Sequence, residues 1–350
     1  MTIEPPRPDP AADKAGTIFA RRPLHGEAPE AGPLLVVGLP RSGSSTLADL
    51  ISQTGAAYCF DDLYFQRHAE RIGARGPLDR ARLDDALHFL GWQIRARLRW
   101  KRYALPRMEE ADVEPMNDAI RAAFAGRPPD WPTLQKEWLW RLARLNGCRN
   151  WGYNQPGAFL GLDELLRIYP KARVAFLFRA PERVLASFKH MPDGHRDGDP
   201  RQYHPLAYAL YWRKSAEAYE RWRQALPGRT IRVRFEEMVE DPRETAVRLA
   251  AFLGETFDGP VRSAEANTSF RGGRRALTGL ETALLRRVAG PAAQRVGYRI
   301  DPEPVRAGDF WDLPATTARF GLYQMRRLRG DQGRLRQVRR LLGRGAASDA

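Results

Sequence analysis

Hydrophobic residues near the start of the chain form a short continuous run that is followed by a helical pattern. The run LLVVG at residues 34–38 is typical of a strand buried on both faces. After a polar turn, Leu47, Leu50 and Ile51 recur at the spacing of one helix face, and Gly55 follows where such a helix would end. The pattern therefore predicts a strand, a loop and a helix in succession.

Two later segments repeat this arrangement of strand and helix. RVAFLF at residues 173–178 predicts a strand, and Pro181 then lies at the position favoured for a helix start. TIRVRF at residues 230–235 predicts another strand, after which Pro242 begins and Gly254 ends a helix. Strands that alternate with helices predict an α/β fold with a mostly parallel central sheet flanked by helices.

The region from about residue 64 to 150 has a helical pattern, with an apolar stripe between residues 83 and 98. It is longer than a crossover between parallel strands requires, so we expect this insertion after the first helix to shape a substrate pocket. The whole pattern predicts a loosely ordered leader over residues 1–32, a folded domain over 33–300 and a basic C-terminal extension over 301–350.

The high net positive charge does not by itself identify the binding partner. The formal net charge of +15 would attract nucleic acid, an acidic membrane surface or a highly charged small cofactor. Much of the excess lies in the stretch MRRLRGDQGRLRQVRRLLGRG, so the body of the protein is less basic than the total. No run approaches the roughly 20 apolar residues of a membrane span, and no signal-peptide pattern opens the chain. We therefore expect a cytoplasmic protein.

The polar turn after the first strand reads GLPRSGSSTL, and it resembles a phosphate-binding loop without its usual lysine. Gly38 and Gly43 have the spacing of a nucleoside-triphosphate loop, but Ser44 occupies the lysine position and the positive charge lies at Arg41. Backbone N–H groups at a helix N-terminus still bind an anion. Further donors are the hydroxyls of Ser42, Ser44, Ser45 and Thr46. The loop is suited to a single phosphate whose neighbouring group reacts near Arg41.

These residues resemble the 5'-phosphosulfate-binding loop of the sulfotransferases that use 3'-phosphoadenosine 5'-phosphosulfate (PAPS). YPKARVAFLFRAPERVLASF resembles the family's second signature, and the resemblance implies that Arg179 and Ser187 bind the 3'-phosphate. NTSFRGGRRALTG resembles a later basic segment that lies over the nucleotide, with Arg271 and Gly272 as the matching residues. The resemblance implies a P-loop sulfotransferase-like fold and PAPS as co-substrate, with no metal.

The resemblance also implies a reaction: in-line transfer of a sulfuryl group to a hydroxyl or amine of an acceptor, with Arg41 stabilising the leaving group. In the segment TGAAYCFDDLYF, Asp62 falls at the position of a Glu that one bacterial branch of the family, which acts on sugars, has at a similar distance after TG, and Asp61 is its neighbour. The resemblance therefore implies that Asp62 is the base. Other relatives use His as the base, which leaves four alternatives open. They are His68, His88, His190 and His195.

One segment departs from the family pattern. WGYNQPG at residues 151–157 has Asn154 and Gln155 where many relatives have Lys and Thr, so a weakened or altered activity is an alternative. We expect a carbohydrate or lipid-linked acceptor, no nucleic acid partner, and a peripheral contact of the basic tail with the anionic inner membrane surface. The competing hypotheses are a P-loop kinase or ATPase, disfavoured by Ser44, and a catalytically weakened basic protein that binds a membrane surface.

Overall fold

A five-stranded parallel sheet forms the centre of the computed structural model. The structure describes residues 32–61, 65–74, 76–100, 108–190, 203–261 and 276–328. The strands are β1 (Leu34–Gly38), β2 (Ala57–Phe60), β3 (Asn150–Asn154), β4 (Arg173–Phe178) and β5 (Thr230–Arg234). Their order in the sheet is β2-β3-β1-β4-β5, and each neighbouring pair is parallel. The predicted α/β fold class is confirmed.

Helices connect the strands and flank the sheet. In chain order they are α1 (Ser44–Gln53), α2 (Phe65–Arg71), α3 (Arg80–Trp100), α4 (Val113–Ala123), α5 (Trp131–Leu145), α6 (Leu162–Ile168), α7 (Pro181–Lys189), α8 (Pro205–Ala225), α9 (Phe235–Glu240), α10 (Pro242–Leu253), α11 (Gly279–Arg295) and α12 (Asp312–Leu328). None of the helices in the described part of the chain is long and apolar enough to cross a membrane.

Most of the predicted elements form where the pattern places them. β1, α1 and β4 are present, and Pro181 is the first residue of α7. The Asp241 carboxylate accepts a hydrogen bond from the Glu244 N–H at 2.8 Å, which caps α10, and Gly254 ends that helix with a φ of 84°. β5 is one residue shorter than predicted, because Phe235 begins α9 instead of ending the strand.

Two strands, β2 and β3, were not predicted from the hydrophobic pattern. β2 has only four residues, and β3 has the sequence NWGYN, whose two Asn and one Gly are atypical of a central strand. β3 nevertheless pairs directly with β1. A Cβ on Gly152 would lie 2.4 Å from the carbonyl oxygen of Leu34, so glycine is required for these strands to approach.

The sheet is covered on both faces. Leu34 and Val36 of β1 pack in one core cluster with α1 and α10, whereas Leu35 and Val37 pack in the other. Helices α2 to α5 lie between β2 and β3 in sequence, and α5 packs on the second face. There the fully buried Trp138 makes an edge contact with Phe60, with ring centroids 5.0 Å apart.

Candidate functional site

The loop between β1 and α1 forms a cradle at the centre of the sheet edge. Arg41 and Gly43 both have left-handed backbone conformations, with φ of 70° and 92°. Gly43 is the N-cap of α1 and offers no side chain to the N–H groups of the first turn. Such a turn binds an anion through these N–H groups and the positive end of the helix dipole. The loop therefore retains the phosphate-binding geometry without a lysine.

Phe235 fixes the shape of this loop. A Cβ on Gly43 would lie 2.3 Å from the Phe235 ring, so only glycine fits at this position. The Arg179 guanidinium carbon lies 4.5 Å from the centroid of the same ring. A cation over an aromatic face is held by the charge distribution of the ring. Phe235 thus supports both the loop and Arg179, a role that the sequence pattern did not reveal.

Arg41, Arg179 and Ser187 come together although they are distant in sequence. The Arg41 Nε donates a hydrogen bond to the Ser187 Oγ at 3.1 Å. The Arg179 Nη1 donates one to the Arg41 carbonyl oxygen, also at 3.1 Å. The structure therefore places three of the predicted site residues in one connected group at the carboxyl ends of β1 and β4.

A second set of contacts holds the turn that follows Arg179. The Arg179 carbonyl oxygen accepts a hydrogen bond from the Trp212 indole at 3.1 Å. The next N–H, of Ala180, donates to the Glu236 carboxylate at 2.9 Å, and the Tyr298 hydroxyl donates to the same carboxylate at 2.6 Å. Glu236 therefore holds the turn between β4 and α7 in position.

The remaining predicted donor-binding residues divide into two groups. Ser42 is buried in the loop and Ser44 is buried at the start of α1, whereas Ser45 and Thr46 are half-buried in the first turn of that helix. All four hydroxyl groups belong to the segment that surrounds the cradle. Four of the residues predicted as site residues or alternative bases lie outside the described part of the chain. They are Asp62, His195, Arg271 and Gly272.

Asp61 and Asn154 meet at the other end of the same sheet edge. Asp61 follows β2, Asn154 ends β3, and both side chains are buried. The Asn154 Nδ2 donates a hydrogen bond to the Asp61 Oδ1 at 2.5 Å. Arg97 of α3 donates to the Asp61 carbonyl oxygen, and its guanidinium carbon lies 4.3 Å from the Phe60 ring centroid. The neutral Asn154 amide thus binds the carboxylate of Asp61, the residue directly before Asp62.

A small cleft joins this carboxylate to the loop. It is lined by Ser45, Ala48, Asp49, Ser52, Tyr58, Cys59, Asp61 and Arg97. Burial raises the pKa of the Tyr58 hydroxyl well above its usual value, and it does the same to the Cys59 thiol, where the Asp61 charge adds to the effect. Both groups are therefore protonated at neutral pH, so neither is suited to act as a base or nucleophile here.

Of the histidines considered as bases, His68 has a structural role. Its ring stacks on Phe89 with centroids 3.9 Å apart, and the side chain is buried. Burial and the nearby Arg71 lower the pKa of His68 to about 4, although Asp85 lies 3.5 Å away and opposes the shift. Burial is the larger effect, and it makes His68 a weak base. His88 is exposed on α3, and His190 follows the last residue of α7.

Sequence reasoning missed the supporting residues. Arg97 belongs to a basic run on α3, and no local signal distinguishes it from Arg95 or Arg99. The pairing of Asp61 with Asn154 depends on β2 and β3 being neighbours, and neither strand was predicted. Among the described residues, no group of His, Cys, Asp or Glu is arranged to hold a metal ion.

The fold and the loop together define an α/β protein with a P-loop-like fold. β1 lies at the centre of the sheet, with β3 on one side and β4 on the other, and ligands of such sheets bind where the strand order reverses. Residues 33–259, well over half of the chain, match the profile of the Sulfotransferase family. The chain belongs to this family, and the predicted family membership is confirmed.

Solved structures with a similar chain course include three bacterial proteins. The sulfotransferase domain of the Synechococcus PCC 7002 olefin synthase is 18% identical and has a TM-score of 0.43, with 86% of this chain and 98% of that chain covered. The Alicyclobacillus acidocaldarius sulfotransferase is 18% identical with a TM-score of 0.41, covering 82% and 98%. The Mycobacterium avium sulfotransferase is 18% identical with a TM-score of 0.36, covering 85% and 76%. No curated protein matches the chain.

Proposed function

We propose that this sulfotransferase uses PAPS as the donor and transfers its sulfuryl group to a hydroxyl or amine of a carbohydrate or lipid-linked acceptor. The observation that carries the proposal is the connected group of Arg41, Arg179 and Ser187 beside a phosphate-binding loop that has no lysine. A donor with separate 5'- and 3'-phosphates needs cations at two places, and this group provides them.

In this proposal the loop holds the 5'-phosphosulfate. The N–H groups of the first turn of α1 bind it together with the hydroxyls of Ser42, Ser44, Ser45 and Thr46. Arg179 and Ser187 bind the 3'-phosphate, because a guanidinium and a hydroxyl supply charge-assisted hydrogen bonds to phosphate oxygens. Arg271 and Gly272 contribute from the later basic segment. The loop fits such an anion because Gly43 leaves the first turn of α1 without a side-chain cap.

Transfer proceeds by attack of the acceptor oxygen or nitrogen on sulfur. The bond between sulfur and the bridging oxygen breaks, and negative charge develops on the leaving phosphate. The Arg41 guanidinium is always protonated, so it stabilises that charge electrostatically and does not donate a proton. The acceptor proton goes to Asp62, while Asp61, bound to Asn154, positions the chain at that point.

Titration calorimetry without Mg²⁺ tests the choice of donor. We expect 3'-phosphoadenosine 5'-phosphate to bind and ATP not to bind, because the loop has Ser44 where a triphosphate site has Lys. Tight, Mg²⁺-dependent binding of ATP would instead favour a P-loop kinase or ATPase. A screen of sugar, lipid and phenol acceptors with labelled PAPS then identifies the acceptor class.

A further inference from the structure

The outer face of α12 carries an apolar stripe that is exposed to solvent. The stripe consists of Trp311, Ala315, Ala318, Leu322 and Met325, which recur at alternate spacings of four and three residues. The exposed fractions are 83% for Trp311, 54% for Leu322 and 53% for Met325. This spacing places the last four side chains on one face of α12, and Trp311, the residue just before the helix, continues the same spacing. We call this face the outer stripe.

The opposite face of α12 is already used for packing. The Phe320 ring lies 5.3 Å from the ring of His204, which is buried at the start of α8. The His204 Nε2 lies 3.1 Å from the Thr317 Oγ1, and that hydroxyl donates to the Leu313 carbonyl oxygen at 2.8 Å. The helix thus has two apolar faces, and among the described residues only the inner face has packing partners.

The segment before α12 fixes the orientation of the helix. The Asp309 carboxylate accepts hydrogen bonds from the Leu280 N–H at 3.2 Å and from the Arg306 N–H at 3.1 Å. The first of these bonds ties the segment to the N-terminus of α11. The outer stripe is exposed with this segment anchored, and Phe310, the residue before Trp311, is also 55% exposed.

Positive charge accompanies the outer stripe. Arg319 and Arg326 are exposed on one flank of it. The sequence from Met325 to Gly345 contains eight Arg and one Asp, and the whole chain has a net charge of +15. A second copy of this chain on the stripe would bring like charges together, whereas anionic lipid headgroups would neutralise them.

We propose that the outer stripe and its flanking arginines dock the protein on an anionic lipid bilayer. A helix with Trp and Leu on one face and Arg beside it lies in the plane of the bilayer interface, with its apolar face among the acyl chains and its cations among the headgroups. This docking surface is distinct from the donor cradle and does not depend on the identity of the donor.

Vesicle co-sedimentation of the full chain tests the proposal. The protein is expected to bind vesicles of phosphatidylcholine with phosphatidylglycerol, to bind pure phosphatidylcholine vesicles weakly, and to lose binding as salt is raised. The variant Trp311→Ser/Leu322→Gln/Met325→Gln is expected to lose at least about tenfold in affinity for anionic vesicles, because it removes large apolar side chains from the interface. Arg319→Gln/Arg326→Gln is expected to lose about fivefold per arginine.

The matched control is Ile168→Gln/Val247→Gln, which removes two exposed apolar side chains from α6 and α10 and is expected to bind like the parent. Circular dichroism verifies that each variant is folded, and Trp311→Ser alone serves if the triple variant is not. Unchanged binding of the stripe variants would overturn the proposal, and so would failure of the parent to bind anionic vesicles. A parent dimer, seen by sedimentation velocity and lost in the stripe variant, would assign the stripe to a second copy instead.

Discussion

The Arg41 guanidinium donates a hydrogen bond to the Ser187 hydroxyl at 3.1 Å and so joins the first loop to helix α7. Arg179 binds the Arg41 backbone at the same time. The residue assigned to the leaving group and the two assigned to the 3'-phosphate therefore form one hydrogen-bonded unit. This unit links the two ends of the proposed donor site.

Replacement of Arg41 separates its chemical role from its backbone conformation. Arg41→Ala is expected to lower transfer by about 10²–10³-fold or more, because the charge on the leaving oxygen loses its cation. Arg41→Gly is expected to lose as much transfer activity as Arg41→Ala but to have a higher Tm than that variant. The reason is that a residue with a Cβ is strained by about 1–2 kcal/mol in the left-handed conformation. Labelled-PAPS turnover and thermal melts provide the two measurements. Retained turnover in either variant contradicts the assignment of Arg41.

Arg179→Gln is expected to discriminate between nucleotides. Hydrogen bonds to a charged group contribute about 1.5–3 kcal/mol, so the Kd of 3'-phosphoadenosine 5'-phosphate should rise at least tenfold. Adenosine 5'-phosphate lacks the 3'-phosphate, and its Kd should change much less. Calorimetry gives both values, and Ser187→Ala should show the same preference to a smaller degree. An equal loss for the two nucleotides would refute the assignment of the 3'-phosphate to Arg179.

The space next to Gly43 predicts a large effect of one methyl group. Gly43→Ala introduces a Cβ that would lie 2.3 Å from the Phe235 ring, at a φ of 92°. We expect it to lower the unfolding free energy by more than about 2 kcal/mol and to abolish nucleotide binding. Gly228→Ala is the control, because Gly228 has a φ of 72° and nothing within 4 Å of the added Cβ. Denaturant unfolding should show the smaller loss for the control.

The hydrogen bond between Asp61 and Asn154 can be tested by exchange. Asn154→Leu removes the donor to a buried carboxylate and is expected to lower stability by about 1.5–3 kcal/mol. The double variant Asp61→Asn/Asn154→Asp retains one carboxylate and one amide, so it should recover most of that loss. Equilibrium unfolding measures both. If the exchange variant is less stable than Asn154→Leu, the pair does not act as described.

The proton acceptor is tested at the next residue. Asp62→Asn is expected to lower kcat by about 10²-fold or more, with the affinity for 3'-phosphoadenosine 5'-phosphate unchanged. Gln replacements of His88 and His190, made in parallel, should leave kcat near the parent value. A loss of kcat in His190→Gln with none in Asp62→Asn would assign the base to the histidine instead.

The buried His68 predicts a pH dependence of stability. Its pKa is about 4 in the folded protein and 6.5 when unperturbed, so the unfolded chain takes up the proton first as the pH falls. The stability from the neutral ring is complete above about pH 6.5 and is lost between pH 6.5 and pH 4. His68→Phe keeps the stacking on Phe89 and removes the titration. Its Tm should therefore fall less over this range than that of the parent, and equal slopes would contradict the assigned cause.

The elements that carry the proposed donor-site residues could be predicted from the sequence because their signals are local. The apolar run of β1, the Gly spacing and the Arg that ends β4 each lie within one short segment. In the structure β1 and β4 are neighbours, and hydrogen bonds connect Arg41, Arg179 and Ser187. A short-range pattern is sufficient where a strand end alone determines which edge of the sheet a residue occupies.

Other features of the structure, namely the sequence of β3, the role of Phe235 and the apolar face of α12, could not be predicted in the same way. In β3, Gly152 permits the close approach to β1 and Asn154 binds Asp61, and neither residue fits a hydrophobic pattern. The role of Phe235 depends on its contact with Gly43, which is far away in sequence. Helix α12 lies in the segment whose high charge predicts only a basic extension, because the many Arg residues there outweigh the spacing of the apolar residues.

The hydrogen bond between Arg41 and Ser187 spans 146 residues, and this separation affects how the protein folds. The entropic cost of closing such a loop rises only logarithmically with loop length, by about 0.6 kcal/mol for each doubling of the length, so the cost in stability is modest. Contacts between residues so far apart in sequence nevertheless slow folding. A chain synthesised only as far as β4 lacks Ser187 and cannot complete this hydrogen-bonded group. Under the proposed function the nucleotide is a ligand of the native state alone, and at 100 times its Kd it would stabilise that state by about 2.7 kcal/mol. The co-substrate would then also protect the finished protein against proteolysis.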